Sequence, residues 1–326
     1  MKNLFGNEII EKPIKVNIYA DESKKEEWFY TGIVVENIDN SLSNDIISYR
    51  FHNNKQDIKF YLFNEGEKSV YYDKNNRIVH WSKLNDIDTK NIAERWLNYI
   101  LDPSRSADKF YAYILGIDNS KLNDEEFGGN NFNNKYNRFF RSAILYSLKT
   151  MFPNKEIVVE NIYHEEGQQE HHKYFPWHCI YTIESVEEKI RFSCNKITFL
   201  PKSHREKHRK KELSNIIQLA DLFLGINTSI IHGIENSKRS NYRKKLMELS
   251  FPLIRRMVNE PHNKNSSYKQ ANRIMIRFFP RERTVPDDIR RNANQFYTKR
   301  SLEFEDQISG QQSLFWSYSL NHCPCG

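Results

Sequence analysis

The stretch LSNIIQLADLFLGI, residues 213–226, carries the strongest structural signal in this chain. Apolar residues occupy nearly every side of the helix that it predicts, which is typical of a helix buried in a core. Four of the five remaining residues recur at spacings of four, three and four and so form one narrow polar stripe: Ser214, Gln218, Asp221 and Gly225. An ionised carboxylate in such surroundings is costly unless a cation or hydrogen-bond donors satisfy it. We therefore expect a cation or a set of donors to face Asp221.

The composition is that of a polar globular protein. Aromatic residues make up 13% of the 326 residues, and this content argues against disorder. The N-terminal sequence is charged rather than apolar, and the four cysteines form no disulfide framework, so we expect a cytoplasmic protein. No run of 18 apolar residues occurs, which predicts no membrane partner. The oligomeric state stays open.

Positive charge is concentrated late in the chain. Residues 201–300 hold 23 Lys and Arg against 9 Asp and Glu, whereas the rest holds 26 against 33. A basic segment beside an acidic one predicts a polyanionic partner, DNA or RNA. The run KSHREKHRKK, residues 202–211, stands directly before the buried helix, and its candidates for phosphate contact are Lys202, Arg205, Lys207, Arg209, Lys210 and Lys211.

Strand and helix patterns alternate along the rest of the chain. KVNIYADES (15–23) and WFYTGIVV (28–35) predict a hairpin. Further strands are predicted at 58–63, 109–118, 156–164, 196–200 and 273–279, a second hairpin at 181–194, and helices at 88–101 (with Asp88 as N-cap), 136–151 and 242–258. Three antiparallel strands followed by alternating strands and helices predict an α/β fold, with a mixed five-stranded sheet flanked by helices.

Carboxylates stand near the ends of several predicted strands. Asp21 and Glu22 end the first strand, Asp118 ends the fourth, Glu160 lies within the fifth and Glu165 follows it. In a sheet of this order the first and fourth strands are parallel neighbours, so Asp21 and Asp118 would lie side by side. Carboxylates gathered at one point repel one another, and divalent cations relieve the repulsion. Oxygen ligands suit Mg²⁺ or Mn²⁺, and two such ions can activate water against a phosphodiester.

Four motifs resemble a known family. YADES (19–23), WSKL (81–84), EHHKYFPWHCI (170–180) and NIIQLADLFLG (215–225) look like the bacterial family called "domain of unknown function 3800", which is considered RNase H-like. The resemblance spans roughly residues 14–226. It implies an RNase H-like domain over that range with an insertion around 164–212, followed by a basic extension of helix and strand over 227–326. The activity implied is that of a metal-dependent nuclease.

The family motifs match Asp21 and Asp221 most directly. For a third acid the fold analogy points to Asp118, whereas the acid near the fifth strand is Glu160 or Glu165. Nothing motif-like surrounds Glu94, the acid that an RNase H-type site would take from the first helix. The catalytic and metal-binding candidates are therefore Asp21, Asp118, Glu165 and Asp221, with Glu22, Glu160 and Gln218 as secondary candidates.

Two smaller groups complete the predicted site. Lys83 in WSKL and the pair His171 and His172 are candidates for nucleic-acid contact. The histidine-rich stretch around them fits no standard zinc module, so we do not assign a zinc site. The alternative to a nuclease is an RNase H-like module that binds nucleic acid or protein without hydrolysis.

Overall fold

A computed structural model describes residues 12–127, 129, 132–167, 177–201, 203–204, 211–232, 241–259 and 273–280. Within these residues the core is one mixed sheet of seven strands: β1 (Ile14–Lys25), β2 (Trp28–Asn37), β3 (Phe110–Asp118), β4 (Ile157–Glu165), β5 (Ile190–Phe192), β6 (Ile197–Leu200) and β7 (Ile274–Phe279). The strand order is β5-β4-β1-β2-β3-β7, and β6 pairs with the second half of β4. β1, β2 and β3 are antiparallel neighbours, while β4 is parallel to β1 and β7 to β3.

Helices cover both faces of the sheet. They are α1 (Leu42–Arg50), α2 (Lys55–Phe63), α3 (Tyr72–Asn75), α4 (Ile87–Leu101), α5 (Pro103–Ser106), α6 (Phe132–Met151), α7 (Trp177–Val186), α8 (Lys211–Ile231) and α9 (Asn241–Asn259). On one face α8 lies against β1 and β2 and contacts α1, α4 and α9. On the other face α6 packs against β2 and β3 and contacts α7. The predicted mixed sheet flanked by helices is confirmed, but the described residues form seven strands and not the predicted five.

The predicted buried helix is α8. By length and composition it could cross a membrane, yet the whole apolar window lies inside the protein. Every residue from Ser214 to Ile231 is buried, as expected for a helix that is apolar on nearly all sides. The core beneath it joins the sheet to α1, α4 and α9, and a second core joins the other face to α6.

Two predicted elements are wrong. Residues 58–63 belong to α2, because Asn54 caps this helix by accepting hydrogen bonds from the next turn and Asn64 ends it in the left-handed conformation. The predicted hairpin at 181–194 is the end of α7 followed by β5, which pairs with β4 instead. The N-cap of α4 is Asp86, whose carboxylate accepts from Thr89 N, and not the predicted Asp88.

Candidate metal centre

Asp21 lies on the face of the sheet that α8 covers. Side chains along a strand alternate between the two faces. Ile18 and Ala20 belong to the core on the α6 side, whereas Tyr19 belongs to the core beneath α8. The same alternation directs Asp21 toward α8, where the residue is only 2% exposed. Its Oδ1 accepts a hydrogen bond from the Glu22 N–H at 2.8 Å.

A β-bulge in β4 determines which acid joins Asp21. Val16 pairs with Val159, but the next residue of β1, Asn17, pairs with Asn161. Glu160 is therefore the extra residue of the bulge. Its carboxylate lies 3.2 Å from Lys15 Nζ in a partly exposed ion pair.

Beyond the bulge the alternation of β4 is reversed. Val159 packs on the α6 side and so does Ile162, three residues later, although an odd spacing in a regular strand would place them on opposite faces. Tyr163 consequently lies beneath α8, where its ring stacks on Tyr19 with centroids 5.1 Å apart. Glu165 follows at the next position of that face, at the end of β4.

α8 brings a third carboxylate to this point. Asp21, Glu165 and Asp221 each offer one carboxylate oxygen, and these oxygens lie within 4.8 Å of one another. We call these three residues the carboxylate centre. Ligands on opposite sides of a Mg²⁺ ion lie about 4 Å apart, so the spacing suits a shared divalent cation. Asp221 is 8% exposed and Glu165 is partly exposed, so among the described residues the centre is most accessible on the Glu165 side.

The polar stripe of α8 is covered by residues 75–85, which we call the covering segment. The Trp81 N–H donates to Asp221 Oδ2 at 2.6 Å, and His80 Nδ1 lies 3.2 Å from the same oxygen. The Val79 N–H donates to Gln218 Oε1 at 3.0 Å. The buried carboxylate of Asp221 is therefore contacted directly by a backbone donor and an imidazole.

Gly225 lets the covering segment approach the helix this closely. A Cβ at this position would come within 2.2 Å of the Trp81 ring. The indole Nε1 of Trp81 donates to Ser229 Oγ at 3.1 Å, one turn further along α8. The WSKL and QLADLFLG motifs are therefore in direct contact, and together they orient Asp221.

A buried pair of side chains supports the end of β4 from the opposite face. Burial lowers the pKa of His164, so its imidazole is neutral. Because a carbonyl can only accept, His164 Nδ1 donates to the Glu165 carbonyl at 2.8 Å, and Nε2 accepts from the Tyr136 hydroxyl at 2.8 Å. Burial and then the charges of Glu22 and Asp21 raise the pKa of Tyr136, which keeps its hydroxyl protonated as the donor.

The predicted neighbour of Asp21 lies elsewhere. Because residues 58–63 form a helix, the strand that ends in Asp118 is β3, and β2 separates it from β1. Asp118 Oδ1 accepts from Ser120 N and Oγ at 3.1 and 2.6 Å, and Oδ2 lies 3.6 Å from Lys121 Nζ. The prediction that Asp118 lies beside Asp21 is wrong, and this carboxylate caps a turn.

The other sequence candidates lie around the centre or outside the described residues. Glu22 follows Asp21 and is partly exposed, Lys83 is exposed in the 3₁₀ turn Trp81–Lys83, and Glu94 is paired with Lys90. The Lys211 ammonium, predicted to contact phosphate, donates to the carbonyl of Tyr61 and lies over its ring. Outside the described residues lie His171, His172, Lys202, Arg205, Lys207, Arg209 and Lys210.

Two residues that contact the polar stripe of α8 were not predicted from the sequence. His80 contacts Asp221, and the buried Arg50 donates to Gln218. The one signal in the sequence that could have identified His80 is its position directly before the WSKL motif.

Comparisons with protein-family models, with curated proteins and with solved structures found no match.

Proposed function

We propose that this protein is a metal-dependent nuclease that hydrolyses phosphodiester bonds in DNA or RNA. The observation that carries the proposal is the meeting of Asp21, Glu165 and Asp221 from β1, β4 and α8, with oxygens within 4.8 Å of one another. A shared cation would offset the repulsion among three carboxylates held this close in a partly buried site. The oxygen-only ligand set favours Mg²⁺ or Mn²⁺ over zinc.

Each carboxylate of the centre would have its own role in metal binding. Divalent ions, two in the mechanism we propose, would supply an activated water and offset charge on the leaving oxygen when bound. Asp21 and Asp221, both nearly buried, would hold the metal from the protein side. Glu165, which is partly exposed, would complete the ligand set on the side where a phosphodiester can enter. The Trp81 N–H keeps Asp221 Oδ2 in place during the reaction.

The strand order supports an RNase H-like assignment of the fold. β1, β2 and β3 are antiparallel, and β4 and β5 lie beyond β1 and parallel to it. This is the arrangement of three antiparallel and then parallel strands that the sequence resemblance implies, with acids on the first strand, the fourth strand and a late helix. We also propose a cytoplasmic location, on the basis of the low cysteine content.

The charge distribution supports a nucleic-acid substrate. Residues 201–300 carry 23 basic against 9 acidic side chains, and α8 with its Asp221 lies within this range. Lys83, at the exposed end of the covering segment's 3₁₀ turn, adds a cation two residues from Trp81. Basic side chains near a metal centre would hold the phosphate backbone independently of base sequence.

The test compares cleavage by wild type, Asp221→Asn and Asp118→Asn. Labelled single- and double-stranded DNA and RNA are incubated with each protein in Mg²⁺, in Mn²⁺ and in chelator. We expect metal-dependent cleavage that Asp221→Asn abolishes and Asp118→Asn retains, because Asp118 caps a turn away from the centre. Salt-sensitive binding that needs no divalent ion and survives Asp221→Asn, without cleavage of any substrate, would indicate the non-hydrolytic module instead.

A further inference from the structure

Arg50, at the end of α1, is a buried cation held by neutral oxygen atoms. Its side chain is 0% exposed. The guanidinium donates to Asn215 Oδ1 at 2.6 Å and to Gln218 Oε1 at 2.8 Å, both on α8. It also donates to the backbone carbonyls of Asn75 and Arg77 at 3.0 and 2.6 Å, both in the covering segment. These four bonds offset much of the cost of burying the charge.

The bonds of Arg50 join the covering segment to α8 at one point. Gln218 Oε1 accepts from Arg50 and also from the Val79 N–H, so the same amide oxygen is bonded to both. Gln218 Nε2 donates to His204 Nδ1 at 2.9 Å, which leaves the amide no freedom to turn over. Because the planar guanidinium donates in several fixed directions at once, a lysine ammonium could not replace it here.

This junction lies close to the contact between Asp221 and Trp81, both along α8 and along the covering segment. Along α8, Asp221 follows Gln218 by three residues, about 4.5 Å of helix rise, on the same face. Along the covering segment, Trp81 follows Val79 by two residues with His80 extended between them, and both N–H groups donate to side chains of the same stripe of α8. Fixing the pair Val79–Gln218 therefore places the Trp81 N–H against Asp221 Oδ2, where it is found at 2.6 Å.

We propose that Arg50 is a positioning residue of the carboxylate centre. By holding Gln218 and residues 75–79 together, it positions the Trp81 N–H to donate to one oxygen of Asp221. This hydrogen bond fixes the orientation of the Asp221 carboxylate toward Asp21 and Glu165. The part of this inference that concerns metal affinity rests on the proposed function. The part that concerns the seating of the covering segment does not.

The test uses Arg50→Met, which keeps an unbranched side chain and removes the charge and all the donors. Two quantities are measured: amide hydrogen exchange in peptides covering residues 76–84, and the Mn²⁺ dissociation constant by calorimetry. We expect exchange in these peptides to rise about tenfold, because losing a hydrogen-bonded anchor opens the segment locally. We expect the Mn²⁺ dissociation constant to rise by about the same factor, since outer partners of a metal ligand commonly affect affinity to this extent.

Arg273→Met is the matched control. Arg273 is also buried and donates to the neutral oxygens of Ile100 and Ser106, but it lies directly before β7. We expect its loss to lower the melting temperature while exchange in peptides 76–84 and Mn²⁺ affinity stay as in wild type. If Arg50→Met fails to fold, Gln218→Met replaces it, because this change keeps Arg50 and its other bonds and removes only the shared amide.

The outcomes separate the two proposals. Equal effects of Arg50→Met and Arg273→Met on the 76–84 peptides, or unchanged exchange in Arg50→Met, would overturn the positioning role. If wild type binds no Mn²⁺ but exchange responds as expected, the positioning role stands and the nuclease proposal falls. If wild type binds Mn²⁺ and Arg50→Met binds it equally well, the positioning role for the metal ligand is overturned while the nuclease proposal stands.

Discussion

Three carboxylate oxygens within 4.8 Å of one another repel strongly when no cation lies between them. At this distance two unit charges interact by about 3 kcal/mol at an effective dielectric constant of 20. Asp21 and Asp221 each accept a backbone hydrogen bond, at 2.8 and 2.6 Å respectively, which favours their present orientation. We therefore expect the centre to lower the stability of the metal-free protein and to increase the gain from metal binding.

We predict opposite effects of Glu165→Gln with and without metal. In chelator this substitution should raise the free energy of unfolding by about 1–3 kcal/mol, because one of the repelling charges is removed. In saturating Mn²⁺ it should be less stable than wild type, because it loses a ligand. Glu160→Gln, on the same strand but paired with Lys15, is the control and should change stability by at most about 1 kcal/mol in both conditions. Thermal unfolding gives both values, and destabilisation of Glu165→Gln in chelator would count against the repulsion argument.

The contact between Gly225 and Trp81 leads to a second prediction at this scale. Gly225→Ala should destabilise the protein by about 1–3 kcal/mol, because the new methyl group would meet the indole at 2.2 Å in a filled core. The higher helix propensity of alanine, about 1 kcal/mol, opposes this effect only in part. Gly167→Ala is the matched control, because nothing lies within 4 Å of its added Cβ, and it should leave the midpoint of urea unfolding unchanged. A Gly225→Ala variant as stable as wild type would show that the covering segment can shift.

At the scale of elements, the bulge in β4 decides which acid reaches the centre. The sequence left both acids open, with Glu165 among the main candidates and Glu160 as a secondary one. Five positions separate them, so a regular strand would place them on opposite faces, but the sequence does not show which face lies toward α8. The register of β4 against β1 resolves this: Glu160 is the extra residue and Glu165 falls on the α8 face. A bulge leaves little mark in the amino-acid pattern, since it depends on pairing with a distant strand.

We predict that the protein tolerates deletion of Glu160. Without this residue Val159 and Asn161 become consecutive, and they would pair with Val16 and Asn17 as they do now. Glu165 would still face α8, so Mn²⁺ affinity should be that of wild type. Deletion of Tyr163 is the control, since it would turn His164 toward α8 and Glu165 away from it. Loss of Mn²⁺ binding on deletion of Glu160, measured by calorimetry on folded protein, would contradict this account of the bulge.

The misassigned α2 shows why Asp118 was misplaced. Its sequence, KQDIKFYLF, carries aromatic residues that favour a strand, whereas the helix depends on the caps at Asn54 and Asn64 on either side. Counting this segment as a strand made 109–118 the fourth strand. The expectation that the first and fourth strands are parallel neighbours holds for the strands as they are, but the fourth is β4, which ends in Glu165.

At the scale of the whole molecule, buried tyrosines make stability depend on pH in alkaline solution. Burial raises the pKa of Tyr61 from 10.0 to about 12, and it also raises the pKa of Tyr111 to about 12. Between pH 10 and about pH 12 the two tyrosines have lost their phenolic protons in the unfolded chain but keep them in the folded protein. Proton release therefore favours unfolding. The contribution of these tyrosines to the free energy of unfolding is fully present below pH 10 and falls as the pH rises toward 12.

We predict that Tyr61→Phe reduces this dependence. Two pKa units correspond to about 2.7 kcal/mol, which Tyr61 contributes at neutral pH relative to pH 12. The variant should lose about 1 kcal/mol at pH 7, because the phenol accepts a hydrogen bond from Asn215 Nδ2, but its stability should fall less between pH 10 and 12. The exposed Tyr146→Phe should keep the wild-type slope. Urea unfolding at several pH values measures both, and equal slopes for Tyr61→Phe and wild type would refute the assignment.

The amino-acid sequence by itself determined the local properties of this protein. The buried helix around Asp221, its polar stripe, the alternation that places Asp21 opposite Ile18 and Ala20, and the strands at 109–118 and 156–164 all follow from patterns within short stretches. Such patterns are legible because helix and strand periodicities act over a few neighbouring residues. The tertiary structure alone decided that Glu165 and not Asp118 joins Asp21 and Asp221, that residues 75–85 cover the stripe, and that Arg50 holds them there. These features depend on strand pairing and on contacts between residues more than a hundred positions apart, which no local pattern encodes.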